Sequence, residues 1–534
     1  MADTQVVIAG GGPVGMTLAL ELASHGVRSI VLERNQTTTR HPKMDLTNGR
    51  SMELFRRLGM SDRLRTAGVP EDHAFDIVWA SGGPGVGREL HRFRYPSAHE
   101  AREIARCEND GTYTCEPGMR VSQIVIEPVL KAAIEASPLV DIRFGWAFES
   151  LEQDSDGVMV TVVNRERGAR QVLRGEYLAG CDGGGSRVRS NLGIELEGQL
   201  NVGRSLMIHV RSERRDLLQP EGPWWHWQTP GGSMIAQNDR DTWTVHAPVP
   251  PGADEAALDP AAILRDWAGR DFEFEILVSN AWSPHLVMAT RFSEGRVFLA
   301  GDSIHQVIPT GGYGMNTGVG DAVDLGWKLA ATINGWGGPR LLESYEAERR
   351  PIATQNRAAS KRHMDVRIQI AQVLMSGLSA ATANYAEIGR AIAHLGNRKN
   401  EYWGIEYGYR YHGSPVIAAE PDEPPFDPAR YIATTWPGAR LPHVFLPDGT
   451  ALYDHLGPDF TLIAFDGADS GPVEQAAREC GLPLRAFRAP LSGLREIYER
   501  RLLLVRPDHH VAWRGDDPPN DSVALFRRLS GWLA

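Results

Sequence analysis

Cysteine is scarce in this chain: four in 534 residues, Cys107, Cys115, Cys181 and Cys480, with no CxxC pair and no zinc spacing. That argues against a disulfide scaffold or a zinc module and fits reduced thiols in a cytoplasmic protein. Positive charge is also short. Lys and Arg number 56 against 67 Asp and Glu, a formal net charge of −11, so no basic excess offers itself to nucleic acid. No apolar run is long enough to span a bilayer, and no membrane partner is expected. The apolar start at 6–9 lacks a basic segment ahead of it and runs straight into glycines, so it reads as a strand and not a signal peptide. No internal repeat or low-complexity tract is evident. At this length one hydrophobic core no longer suffices, and two or three domains are expected.

Glycine, by contrast, is plentiful, with 56 residues, and it clusters in three places. The first is Gly10-Gly11-Gly12-Pro13-Val14-Gly15, after the β-branched run 5–9 and before a helical pattern at 16–25. A second strand, 29–32, ends in Glu33-Arg34. This is a βαβ unit with GxGxxG: the first glycine allows the turn, the second lets backbone approach a pyrophosphate, and the third lets helix and strand close. Glu33 stands where a ribose acceptor is expected, with Arg34 beside it. The second cluster, Asp182-Gly183-Gly184-Gly185-Ser186-Arg187, follows the strand pattern 177–180. The third joins Gly301-Asp302, at the end of the strand pattern 296–300, to Pro309-Thr310-Gly311-Gly312-Tyr313-Gly314-Met315-Asn316. Asp302 has the character of a ligand for ribityl hydroxyls. The low-bulk loop suits backbone lying along a ring edge, and the helix it opens favours negative charge near its N-terminus. The ordered set of three indicates a flavin, FAD, which a lone GxGxxG would not.

Between and beyond these loops the texture changes. Helical patterns are expected at 48–58, 118–136, 320–333 and 342–364, and a meander between 141 and 178. Strand patterns at 205–210, 224–228, 233–236 and 242–246 suggest an antiparallel sheet with one covered face. A Pro-rich stretch at 420–428 precedes a compact αβ pattern.

These three motifs, in this order over residues 4–360, resemble the single-component flavin-dependent aromatic hydroxylases, the group of 4-hydroxybenzoate hydroxylase and phenol hydroxylase. The third is especially full, running from Gly301-Asp302 to Lys328-Leu329-Ala330, and Glu346-x-x-Arg349-Arg350-Pro351 extends it. The resemblance implies an α/β fold: a Rossmann-like FAD-binding domain (1–195 and 285–400), an inserted antiparallel-sheet substrate domain (196–284), a linker (401–435) and a C-terminal thioredoxin-like αβ domain (436–534) that lacks CxxC. It implies that FAD is reduced by NADPH or NADH and reacts with O2 to a C4a-hydroperoxide that hydroxylates an electron-rich, phenolic small molecule. Baeyer–Villiger oxygenation of a polyketide-type ketone by the same adduct, and a non-catalytic flavin-holding module, are the alternatives. A packing role or homodimer contact is expected of the C-terminal module.

By the same resemblance Arg50 and Gln123, with Arg120 in the same stretch, belong near the flavin phosphates and ribityl chain. Arg187 and Arg189 could attract nicotinamide phosphates or pair within the FAD domain. Asp45 matches an active-site aspartate of phenol hydroxylase and is the expected base, or else a turn former. A carboxyl at about 3.9 and a phenol at about 10 differ by about 8 kcal/mol, so transfer needs a raised carboxyl, an acidified phenol or coupling to oxygen attack, and burial by the flavin would raise Asp45. In Trp224-Trp225-His226-Trp227, alternation puts Trp225 and Trp227 on one face and Trp224 and His226 on the other. One pair could line the substrate pocket with Pro309, Thr310 and Gly311, while the other packs. His305 reads as structural.

Overall fold

A computed structural model describes residues 2–250, 252–379, 384–396, 402–489 and 494–533; the expected boundary at 400/401 lies outside them. Its centre is five parallel strands in the order Val297–Leu299, Arg170–Gly180, Thr4–Ala9, Ser29–Glu33, Val140–Phe144, with the hairpin Trp146–Gln153/Val158–Asn164 running on from Arg170–Gly180. Val6, Val7, Ile8 and Ala9 are wholly buried, as a strand covered on both faces requires. The register sets Ala9 beside Gly180 and Leu32, and Gly180 beside Leu299. The Gly10 loop, Glu33, Asp182 and Asp302 therefore leave the sheet at one carboxyl edge, where open α/β sheets bind ligands.

The helix Tyr313–Ile333 lies against Pro13–Ser24 and is buried on nearly every side. A side chain at Gly318 would meet Val14, and one at Gly326 would meet Glu21, so these two glycines set how closely the helices approach. The following helix, Pro339–Leu378, runs to 40 residues, past the expected end at 364.

The second sheet has seven strands in the order Glu275–Trp282, Ser205–Arg211, Thr242–Pro248, Gly232–Ala236, His226–Thr229, Ile77–Ala80, Glu89–Phe93. It is not confined to the expected insertion, since two strands come from residues 77–93, and His226–Thr229 pairs with Ile77–Ala80 in parallel. One face is an apolar core of Trp227, Met234, Val245, Ile208 and Val78. The other carries His226, Gln228, Ser233, Thr244, His246 and His209.

In the C-terminal module the sheet order is Leu484–Ala489, Phe460–Phe465, Leu502–Val505, Val511–Gly515, the first pair parallel and the rest antiparallel. The stretch expected as linker packs tightly: Tyr407, Tyr409, Tyr411 and Ile417 are buried. Among the described residues no helix is long and apolar enough to cross a membrane.

Candidate active site

Two helices aim their N-termini at the carboxyl edge. Pro13–Ser24 and Tyr313–Ile333 start from Gly12 and Gly312, neither with a side-chain cap, so their first N–H groups are open to an anion. Gly10 has φ +111°, and a side chain there would strike the Cys181 carbonyl, whereas the space in front of Gly12 is empty within 4 Å. That is the form of a cradle for phosphate. Glu33 accepts from the Gly11 N–H at 3.0 Å, which ties the acid at the end of the second strand to the loop. Asp302 is reachable by solvent yet crowded by protein. Burial pushes its carboxyl above the ordinary value against the charges of His305 and Lys43, and no hydrogen bond engages it among the described residues. An acceptor with no hydrogen-bond partner among the described residues, at the carboxyl edge of the sheet, fits ribityl hydroxyls. These residues fit FAD.

The loop around Pro309 is tied to the long helix. Thr310 Oγ1 donates to the Ser360 carbonyl (2.8 Å), and Tyr313 Oη meets His363 Nε2 (2.8 Å). Gly311 and Gly312 both have positive φ. Asn316 donates to the carbonyls of Leu46 and Gly312 and accepts from the Asn48 N–H, so its side chain braces the loop, and Met315 packs partly into the core.

Some expected residues are used differently. Arg50 turns toward the C-terminal module, donating to the Asp508 carbonyl, and pairs with Glu53 of its own helix. Asp182 caps its own turn, accepting from Ser186 Oγ and the N–H groups of Arg187 (2.7 Å) and Val188 (3.2 Å), with Gly183 at positive φ beside it. Gln123 donates to Glu127 one helical turn on. Arg189 donates to the carbonyls of Ser303 and Gly184, and Arg34 and Arg187 are exposed. His305 sits on Asp321 at 2.6 Å, deep in the core.

Asp45 is where the arrangement departs most from expectation. Leu46–Thr47 pairs with Met119–Arg120, which sets Arg120 beside Asp45. Asp45 Oδ2 accepts from Arg120 Nη1 (3.1 Å), Trp225 Nε1 (2.9 Å) and His226 Nε2 (2.7 Å). Burial alone would raise this carboxyl, but the charges of His226 and Arg120 and the hydrogen bonds outweigh it and hold it far below the ordinary range. Asp45 is thus a fixed anion and not a base with a raised pKa. The Trp225/Trp227 pairing also fails. The strand begins only at His226, so alternation does not govern 224 and 225. Trp225 and His226 converge on Asp45, while Trp224 and Trp227 pack 5.6 Å apart in the apolar core, with Trp227 Nε1 on the Gly82 carbonyl. His226 was missed as Asp45's partner, and the signal for it was its place next to Trp225.

Fold and site together define a flavin-binding oxidoreductase. The FAD binding domain family matches residues 3–360, and the aromatic-ring hydroxylase C-terminal family matches residues 434–534. The FAD-dependent monooxygenase apdD of Emericella nidulans is 38% identical, over 99% of this chain and 90% of that protein. The phenol 2-monooxygenase of a Pseudomonas species is 30% identical, over 99% of this chain and 93% of its own. The crystal structure of the flavin-dependent monooxygenase PieE with FAD and substrate has a TM-score of 0.89 at 30% identity, covering 99% of this chain and 100% of that one. This chain belongs to the FAD-dependent aromatic-ring hydroxylases, as the three loops implied; it is a flavin-dependent monooxygenase using FAD and NAD(P)H.

Proposed function

We propose that the chain hydroxylates a phenolic ring held between the Pro309–Asn316 loop and the polar face of the seven-stranded sheet, with Asp45 and His226 handling the phenolic proton. The observation that carries this reading is the 2.7 Å contact of Asp45 Oδ2 with His226 Nε2. An ionised carboxylate can only accept, so His226 Nε2 carries the hydrogen, and it is in the neutral imidazole that Nδ1 then presents a lone pair. Gln228 Nε2 lies 3.4 Å from Nδ1, and a phenol that takes over that place is set for proton transfer. Proton transfer from the phenol to Nδ1 leaves an imidazolium that Asp45 stabilises without becoming protonated, the division of labour of an oriented histidine base. Arg120 and Trp225 keep Asp45 aimed.

FAD, reduced by NADH or NADPH, supplies the activated oxygen that the ring receives. The Gly10–Gly15 loop would hold its pyrophosphate, Glu33 the adenosine ribose, Asp302 the ribityl chain, and the N–H groups of Gly314 and Met315 the ring carbonyl. A reducing compartment, the cytoplasm, suits a protein whose four thiols are all free.

The test is His226→Gln in the FAD-loaded enzyme with phenolic substrates. FAD binding is expected to persist while product formation falls about 10²-fold. Unchanged turnover would remove His226 as the base.

A further inference from the structure

The long helix Pro339–Leu378 touches both walls of this site along one stripe. His363, Ile370 and Leu374 are 1%, 2% and 0% exposed and lie at helical spacing i, i+7, i+11. His363 meets Tyr313 of the glycine loop, and Ile370 and Leu374 pack with Trp79 of the seven-stranded sheet. The i+4 position of that stripe should be apolar. It is Arg367. This guanidinium is half-buried, crowded by protein, and has no ion pair or hydrogen bond among the described residues. A cation so placed without a partner is costly unless something else meets it.

What it faces is polar. Its helix runs from the glycine loop, met by His363, to Trp79, whose strand pairs in register with Gln228 of the polar sheet face, and the charges of Arg367, Asp45 and His226 all reach His246 on that face. Along the sheet, Gln228, Ser233 and His246 form a row across three strands, on the same face as His226. Gln228 Oε1, His246 Nδ1, Asn280 Oδ1 and Trp282 Nε1 are buried there with no hydrogen-bond partner. A site built only for an apolar ring would not keep this many unanswered groups around an unpaired cation.

We propose that Arg367 recognises an oxyanion on the substrate, so that the natural substrate is an acidic phenol, bearing a carboxylate or an enolate of like acidity at the end remote from the hydroxyl engaged by His226. This rests on the siting of the substrate under Proposed function. The guanidinium's planar fork suits such a group, and a charge-assisted bond in a recess is worth more than at a surface. Arg367 then sets which phenols are accepted while leaving the oxygen chemistry to the flavin edge.

The probes are 6-hydroxy-2-naphthoate and its methyl ester, which carry the hydroxyl and the carboxyl at opposite ends of one ring system and differ in charge. Their binding to the FAD-loaded enzyme is followed by perturbation of the flavin absorption spectrum. The acid is expected to bind about tenfold tighter than the ester. R367Q should bring the ratio close to one, and R367K should keep most of it, which separates charge recognition from a folding defect. H226Q should leave the ratio standing. Equal affinities in the unsubstituted enzyme, or an unchanged ratio in R367Q, would overturn the inference and leave the hydroxylation site intact. No perturbation by either probe would overturn the siting of the substrate itself, and the inference with it.

Discussion

Two buried, charged regions of this molecule are built on opposite plans. At the seam between the FAD-binding domain and the C-terminal module, Arg506 pairs with Glu348 (2.7 Å), Asp324 (3.0 Å) and Asp508 (2.8 Å), while Lys328 pairs with Asp324 (2.9 Å) and Glu348. Nearby, Arg440 clasps Glu53. Around the cleft, by contrast, Asp302 and Arg367 make no ion pair or hydrogen bond among the described residues, two helix N-termini have no side-chain cap, and four polar atoms on the sheet face lack partners there. Both regions are crowded by protein, so crowding alone does not separate structural charge from functional charge. Pairing does: the seam has spent its electrostatics on itself, and the cleft has kept its own for ligands. Asp45 lies between the two plans, fully paired yet facing the cleft.

The comparison breaks first if the seam proves dispensable. Arg506→Leu should lose about 3–5 kcal/mol, because three carboxylates are left buried around a missing cation. Urea denaturation of the FAD-loaded protein measures it. A loss under about 1 kcal/mol would mean that water enters the seam and that its pairs behave as surface pairs do.

The second effect is catalytic. Asp45→Asn replaces the fixed anion by an amide that no longer dictates the hydrogen on His226 Nε2. Turnover of a phenolic substrate should fall about 10²-fold, with unfolding stability changed far less than by Arg506→Leu. If stability falls and kcat does not, Asp45 belongs with the seam and not with the cleft.

Third, Gly12→Ala and Gly15→Ala separate ligand space from packing space. A methyl group at Gly12 meets nothing within 4 Å, whereas one at Gly15 would stand 2.0 Å from the Gly10 carbonyl. The first should leave the melting temperature of the FAD-free protein unchanged and weaken FAD binding about tenfold. The second should lower the melting temperature outright. FAD fluorescence quenching and thermal unfolding, run on both, decide it.

The part of this division that local spacing encodes was legible in the sequence. Parallel strands ending in Gly10, Glu33, Asp182 and Gly301 follow from β-branched runs and glycine punctuation, so the FAD-binding sheet could be read. What strands 77–80 and 89–93 join depends on long-range pairing, and the second sheet was therefore drawn too small. Arg50 and Asp182 look like ligands by their type and position. Their partners, Asp508 some 458 residues away and a turn just downstream, are set by docking and capping that spacing does not express. Alternation misassigned the tryptophans because it was applied two residues ahead of the strand. Arg367 did leave a trace, a charge on the 363/370/374 stripe, but a stripe reveals an unpaired charge only once its surroundings are known.

The smallest effect concerns pH at the seam's edge. His25 Nδ1 lies 3.1 Å from Asp459 and Nε2 lies 3.1 Å from Glu21, joining the first helix to the C-terminal module. Burial pulls this imidazole down, but the hydrogen bonds to Asp459 and Glu21 outweigh it and raise its pKa to about 9. A folded value above the unfolded 6.5 means that the stabilisation is complete below about 6.5 and is lost as pH rises through about 9. Within that window the loss is at most about 1.4 kcal/mol per pH unit, less in practice because Asp459 is partly in water. Unfolding midpoints should thus decline from pH 7 to 9 in the wild type and run flatter in His25→Gln. Parallel curves would mean that His25 stays neutral in the fold, and that the paired plan of the seam stops short of its rim.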